Sequence, residues 1–237
     1  MESPRSAIIK QSASVTAAVA PFGVAFGVAT QQAGMHLIEA IGFSALVFSG
    51  SAQFAAVSVL GDGGSVSAAV VAGLLLNLRS VAFGVAMAPA LKGRLWWRAL
   101  VSQLMIDEAT AVGASQSDLQ WRRYGYLVTG LGVFLVWNLT TIAGASIVGS
   151  ADGMVQTLGI DATIPAAFLA LVWPRLSFGP QRLVACGGAI IAFVAAPVLP
   201  AGLHIAAAGA AVLVLRPWRR STDERQSASA PNQHEAS

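Results

Sequence analysis

Residues 36–60 read HLIEAIGFSALVFSGSAQFAAVSVL. The stretch is long enough to cross a bilayer, because a transmembrane helix needs about 20 mainly apolar residues. Its middle, Phe48-Ser49-Gly50-Ser51-Ala52-Gln53-Phe54, nevertheless puts two serines, a glycine and a glutamine within five positions. In hydrocarbon each unpaired backbone group costs roughly several kcal/mol, so irregular backbone persists only where protein or a water-filled cavity shields it. Glycine between serines lets a helix unwind, and the Gln53 amide then offers two donors and an acceptor. Transporters hold substrate near the bilayer midplane at such interruptions. The stretch therefore points to a membrane transport protein with Ser49, Gly50, Ser51 and Gln53 in its path.

Composition agrees with that class. Hydrophobic residues make up 55% of the 237-residue chain and charged residues only 11%, against about 25% charged in soluble domains. Too few charges remain to cover a water-facing surface. The 24 glycines suit membrane helices packed closely through small residues. A net charge of +3 on a soluble chain would suggest nucleic acid. Here the arginines sit in short loops and in the tail, the pattern of cytoplasmic loops instead. A single cysteine, Cys186, excludes an internal disulfide and a cysteine metal cluster. The first apolar run begins near Ser12 and extends too far for a signal peptide.

The expected fold is an all-α integral membrane protein, a bundle of seven or eight transmembrane helices, some discontinuous. Candidate crossings lie at 13–31, 36–60, 66–91, 99–116, 125–149, 154–173, 183–199 and 202–217. The last two meet at Pro197-Val198-Leu199-Pro200, a possible tight hairpin. Residues 1–11 form a cytoplasmic N-terminus, 12–217 the transmembrane transporter domain and 218–237 a disordered cytoplasmic tail too polar to bury a core. Arg5, Lys10, Arg122, Arg123, Arg175, Arg182 and Arg216 mark cytoplasmic segments, so both termini are expected inside. The loops near 32–38 and 150–162 lack Lys and Arg and lie outside. One loop objects: Lys92, Arg94 and Arg98 fall outside if every candidate crosses. Either that loop is an exception, or 36–60 and 99–116 do not both cross. An internal repeat is also suggested, pairing 21–27 and 49–53 with 137–144 and 159–173.

Arg79 lies within the third candidate crossing, more than ten residues short of its end. A charge at a helix centre costs roughly 2.5–3.5 kcal/mol on insertion scales, so it faces a cavity and has a partner. Asp107 and Glu108 are the acids at similar depth. They point about 100° apart on a helix, so only one can face Arg79 squarely. The group reads either as a coupling site or as an ion pair that fixes packing. Pro21-Phe22-Gly23 makes the first crossing kinkable, and Gly23 with Gly27 forms a small-residue spacing suited to helix packing. With the 49–53 segment, Phe22 and Gly23 read as part of a broken-helix pocket. Asn77 supplies another amide beside Arg79.

No parts of an enzyme are visible. The chain has no Gly-rich loop ending in Gly-Lys-Ser/Thr, no His-Glu-x-x-His and no Gly-x-Ser-x-Gly. His36 and His204 stand at crossing edges without metal-ligand companions. No cofactor or metal is expected.

In their order and spacing, Pro21-Phe22-Gly23, Ser49-Gly50-Ser51-Ala52-Gln53-Phe54, Asn77-Leu78-Arg79 and Asp107-Glu108 resemble the AzlC family. Leu158-Gly159-Ile160-Asp161 leading into Pro165-Ala166-Ala167-Phe168-Leu169 is similar to the family's second-half signature. The resemblance covers about residues 12–216. It implies the large subunit of a branched-chain amino acid exporter in the bacterial cytoplasmic membrane, acting with a small four-span AzlD-type membrane partner. It implies a substrate such as valine or methionine, and substrate binding by Phe22, Gly23, Ser49, Gly50, Ser51, Gln53 and Asn77. One departure is Ser80, where the family often has histidine after the arginine. That leaves Asp107 and Glu108 as the groups to carry a coupling proton beside Arg79. A non-transporting membrane subunit that assembles with or regulates a partner permease is the competing reading.

Overall fold

A computed structural model describes residues 3–149 and 179–195, together with Leu169, Trp173, Leu176, 197–199 and Ala208. Every regular element among the described residues is helical. In chain order these are α1 Pro4–Gln32, α2 Leu37–Leu46, α3 Gly50–Gly61, α4 Val66–Asn77, α5 Arg79–Met87, α6 Leu95–Ser102, α7 Asp107–Ala114, α8 Leu119–Gly149 and α9 Gly179–Ala195.

Local sequence sets the helix ends. Ser3 caps α1 by accepting from the Ser6 N–H, with Pro4 in the first turn. Glu39 reaches back to the His36 N–H at 2.7 Å to open α2, and Ser65 caps α4. Gly34 and Gly63 take φ of 78° and 76° just past α1 and α3. Their N–H groups and those of Met35 and Gly64 close back onto the last turns, a left-handed stop that glycine adopts without Cβ strain.

The long helices α1 and α8 run parallel. Contacts climb together: Ser12 bonds Thr129 at 2.8 Å, Gly23 faces Thr140 and Gly27 faces Thr141. The approach is close because three positions lack side chains. A methyl group on Gly27 would stand 2.1 Å from the Thr141 carbonyl oxygen, and one on Gly144 2.1 Å from that of Val24. Pro21 leaves α1 continuous, so the broken-helix pocket expected around Pro21 and Phe22 is not there. Pro lacks only one donor, and the α8 backbone braces the following turns.

The 36–60 stretch breaks at 47–49, where Ser49 is extended at φ −158° and ψ 96°. Beyond the break the chain doubles back. Phe43 and Phe54 both meet the Phe26 ring, with centroids 6.0 and 5.5 Å away. Eleven residues of straight helix would separate them by about 16 Å. Gly61 returns to Ala33, the end of α1 from which α2 departed. The 99–116 stretch behaves alike from the other end. Val101 accepts from the Tyr126 hydroxyl at 2.7 Å, and Gly113 packs on the same residue. Leu104 and Ala109 both border Gly130. Each stretch is therefore a helical hairpin and not the crossing counted from its length.

Between the hairpins, α4 and α5 run from one end of the bundle to the other. Gly73 lies by Ala52, Gly84 by Met105 and Met87 by Gly113. Among the described residues, Pro4–Gln32, Val66–Met87 and Leu119–Ile147 are long and apolar enough to cross a membrane. Hairpin geometry also gathers the cations. The Arg123 guanidinium lies 5.3 Å from the Trp97 ring and Arg5 bonds Tyr124. So Lys92, Arg94 and Arg98 share an end with Arg5, Lys10, Arg122 and Arg123. The loop that violated the charge rule is on the basic end because 36–60 and 99–116 turn back.

The core is aromatic at the level of the first break. Phe26, Phe54 and Trp137 are buried and in mutual ring contact. After α9, Val198 and Leu199 fold back on the Ala195 carbonyl. The 154–173 and 202–217 candidates, and the repeat partner at 159–173, fall outside the described helices. Of that repeat, 21–27 and 137–144 are parallel neighbours.

Candidate functional site

The two hairpins enter from opposite ends and meet near Arg79. The α4–α5 segment tightens at Leu78, whose N–H reaches the Leu75 carbonyl and whose own carbonyl takes the Val81 N–H. Arg79 then opens α5. One guanidinium nitrogen donates to Asp107 at 2.7 Å, the other to the Ser51 hydroxyl at 2.7 Å. Asp107 is the first residue of α7 and Ser51 the second of α3. A single side chain thus spans the first turns of both returning helices. The Arg79 and Asp107 side chains are 34% and 19% exposed, so the pair is open on one side.

The electrostatics follow from the helix ends. The starts of α3 and α7 each behave as roughly half a positive charge, and their first-turn N–H groups lack helical acceptors. Asp107 and Glu108, both in the first turn of α7, together offset Arg79 and the two helix starts. What remains is a cluster near neutral overall, with hydroxyl, guanidinium and amide donors that can meet a carboxylate.

The carbonyl ends of the broken helices are handled differently. The Gln53 amide donates to Phe43 and Ser44, both at 3.2 Å. The Gln103 amide, from the opposite hairpin, donates to Ala45 at 2.9 Å and Leu46 at 3.0 Å. Two glutamines therefore receive the last four carbonyls of α2. At α6, Ser102 bonds Ala99 while Tyr126 takes Val101.

The residues singled out from sequence separate into groups. Ser51, Arg79 and Asp107 are in direct contact, with Ser49 and Gly50 adjoining as cap and first residue of α3. Glu108 follows Asp107 in the first turn of α7, half-buried. Asn77 ends α4 and accepts from the Ser80 hydroxyl at 2.8 Å, so Ser80 links to the amide beside Arg79. Gln53 is fully buried and its amide nitrogen is committed to α2. Phe22 and Gly23 lie apart. Phe22 packs on the core edge, and a methyl group on Gly23 would meet Thr140 Oγ1 at 2.0 Å, so this glycine serves the α1–α8 seam. The ring facing the break is Phe26, one turn further on.

Sequence reasoning did not commit Gln103, Trp137 or Phe26. Gln103 carried the same signal as Gln53, an amide in an apolar run. Trp137 lays its ring edge on Gly50, 3.1 Å from where a Cβ would stand.

These features define a helical membrane protein built around two opposed hairpins that meet at a half-buried ion pair. The model of the AzlC protein family matches residues 14–150, and the chain belongs to that family. It is 28% identical to an uncharacterized membrane protein of Archaeoglobus fulgidus over 74% of this chain and 78% of that one. It is 22% identical to the inner membrane protein YgaZ of Escherichia coli, covering 69% of each. It is 24% identical to an uncharacterized membrane protein of Helicobacter pylori over 73% of this chain and 75% of that one. No solved structure matches.

Proposed function

We propose that this protein is a secondary transporter, not an enzyme, that exports branched-chain or related neutral amino acids such as valine and methionine. The observation that carries this reading is Arg79 standing between Ser51 and Asp107, on the first turns of two half-helices that enter from opposite ends. Paired interrupted helices whose N-termini face one point are the arrangement by which transporters hold an anionic group at the midplane. The substrate carboxylate binds at Ser51, Arg79 and the α3 start. Its apolar side chain lies toward Phe54 and Phe26. A small AzlD-type membrane subunit completes the exporter.

In the cytoplasmic membrane, α1, α4–α5 and α8 cross. These crossings and two re-entrant hairpins keep Arg5, Lys10, Lys92, Arg94, Arg98, Arg122 and Arg123 on one face, the cytoplasmic one, and both termini are cytoplasmic in this reading. The test is efflux and uptake of labelled valine, leucine and methionine in vesicles, with and without the co-expressed small partner. Absence of movement of all three, with the partner present, sinks the reading.

A further inference from the structure

Helix α2 ends at the break with Ser44 buried and Leu46 exposed, its negative pole and last carbonyls directed at no continuing helix. The two amides that receive them are not equivalent. Gln53 belongs to the same hairpin and is fully buried. Gln103 belongs to the opposite hairpin, is exposed, and donates at 2.9 and 3.0 Å to Ala45 and Leu46. A neutral amide brings only partial positive charge to this pole.

The cluster also contains an acceptor without a donor. Gln53 Oε1 is buried and has no hydrogen-bond partner among the described residues. It shares one amide group with the nitrogen that stands 3.2 Å from the Phe43 and Ser44 carbonyls, so it belongs to the same cluster. The Phe43 carbonyl also takes the Val47 N–H, so the acceptor left over is Gln53 Oε1. A group with a full positive charge meets that demand better than Gln103 does.

We infer that the carbonyl end of α2 is a cation subsite, in which Gln103 is a tethered stand-in displaced by an ammonium group or an alkali cation. The inference rests on the transport reading for the ammonium case. The amino acid then bridges the 47–49 break, ammonium at α2 and carboxylate at Ser51 and Arg79. Displacing Gln103 also releases one of the two polar ties between the hairpins, which links occupancy to their separation.

The test uses the purified full chain, with thermal unfolding and radiolabelled L-valine binding as readouts. Gln103→Lys places a permanent ammonium on the carbonyls. Its unfolding midpoint is expected to match or exceed that of the parent, while L-valine binding falls about tenfold or more. Gln103→Met removes the donor, lowers the midpoint and tightens L-valine binding. A Gln103→Lys variant that folds and binds L-valine normally overturns the ammonium assignment and leaves the transport reading intact. On the parent protein, stabilisation by isobutylamine assigns the site to an ammonium. Stabilisation by sodium over choline assigns it to a metal cation. Absence of both effects overturns the subsite, independently of any variant. Isobutylamine stabilisation without L-valine binding keeps the subsite and removes the proposed cargo.

Discussion

The Gln53 amide reaches back ten residues to the Phe43 carbonyl, at 3.2 Å, and holds the α2–α3 hairpin closed. The same nitrogen serves Ser44. Ser44 is buried and Phe43 half-buried at this helix end, so the amide works first as a cap. Gln53→Ala leaves the buried Ser44 carbonyl without the amide donor, while Phe43 keeps the Val47 N–H, at about 1–3 kcal/mol for a buried unsatisfied group. The expected result is a lowered unfolding midpoint together with reduced membrane abundance. Loss of transport at unchanged abundance and midpoint would move Gln53 from the fold to the substrate.

The seam between α1 and α8 makes a sharper demand. A Cβ at Gly27 would meet the Thr141 carbonyl oxygen at 2.1 Å and the Ala145 nitrogen at 2.7 Å. Both are helix backbone and cannot rotate away. Gly27→Ala should cost at least about 3 kcal/mol, the top of the range for overpacked interiors. Gly42 is the control, since nothing lies within 4 Å of a Cβ there. Gly42→Ala should stabilise α2 by about 0.5–1 kcal/mol through helix propensity. Thermal unfolding in detergent distinguishes the two.

A break beside Ser49 was legible because Ser-Gly-Ser has no reason to stand in a lipid-facing helix, but it falls at 47–49, and Gly50, Ser51 and Gln53 are helical in α3. The break at 103–106 was not, since Leu104, Met105 and Ile106 read as uninterrupted apolar helix and only Gln103 hints otherwise. Doubling back was harder still. A crossing with a kink and a hairpin share one hydropathy pattern, and only the cations at 92–98 argued for the second. Gln53 was recognised as a midplane amide, but its acceptors are backbone atoms that no residue type reveals. Gly23 and Phe22 illustrate a helical phase that sequence leaves open. One turn separates Phe22 from Phe26, and the parallel packing of α8 decides which of them meets the break.

Hairpin topology can be checked with single cysteines in a Cys186→Ala background, Cys186 being exposed and free. His36→Cys and Ser65→Cys flank the outer hairpin and should be labelled by an impermeant maleimide from the same membrane face. Lys92→Cys and Asp118→Cys flank the inner hairpin and should be labelled together from the opposite face. Were the two stretches full crossings, each pair would split between faces.

If export is coupled to protons, the acids that open α7 are the groups to carry them. Asp107→Asn and Glu108→Gln should then differ from the parent in how valine flux depends on pH, with at least one losing that dependence while valine exchange continues. Unchanged pH profiles in both variants would assign these acids to packing and to Arg79 alone.

Arg79 is the residue on which both hairpins converge, and its substitutions separate charge from reach. Arg79→Lys keeps the charge but replaces a two-pronged fork by a point donor. Ser51 and Asp107 cannot both be held in the same geometry, so transport should fall about ten- to hundredfold while abundance stays near the parent's. Arg79→Ala removes the partner of Asp107. Because the guanidinium is 34% exposed, the loss should fall below the roughly 3–5 kcal/mol of a fully buried pair. A cost of about 1–3 kcal/mol in unfolding, with transport abolished, is expected. The double exchange Arg79→Asp with Asp107→Arg restores attraction but sets a cation at the start of α7, where the helix dipole disfavours it. It should recover part of the stability and little of the transport. Full recovery of transport by that exchange would show that the ion pair only fixes packing and that the carboxylate of the substrate binds elsewhere.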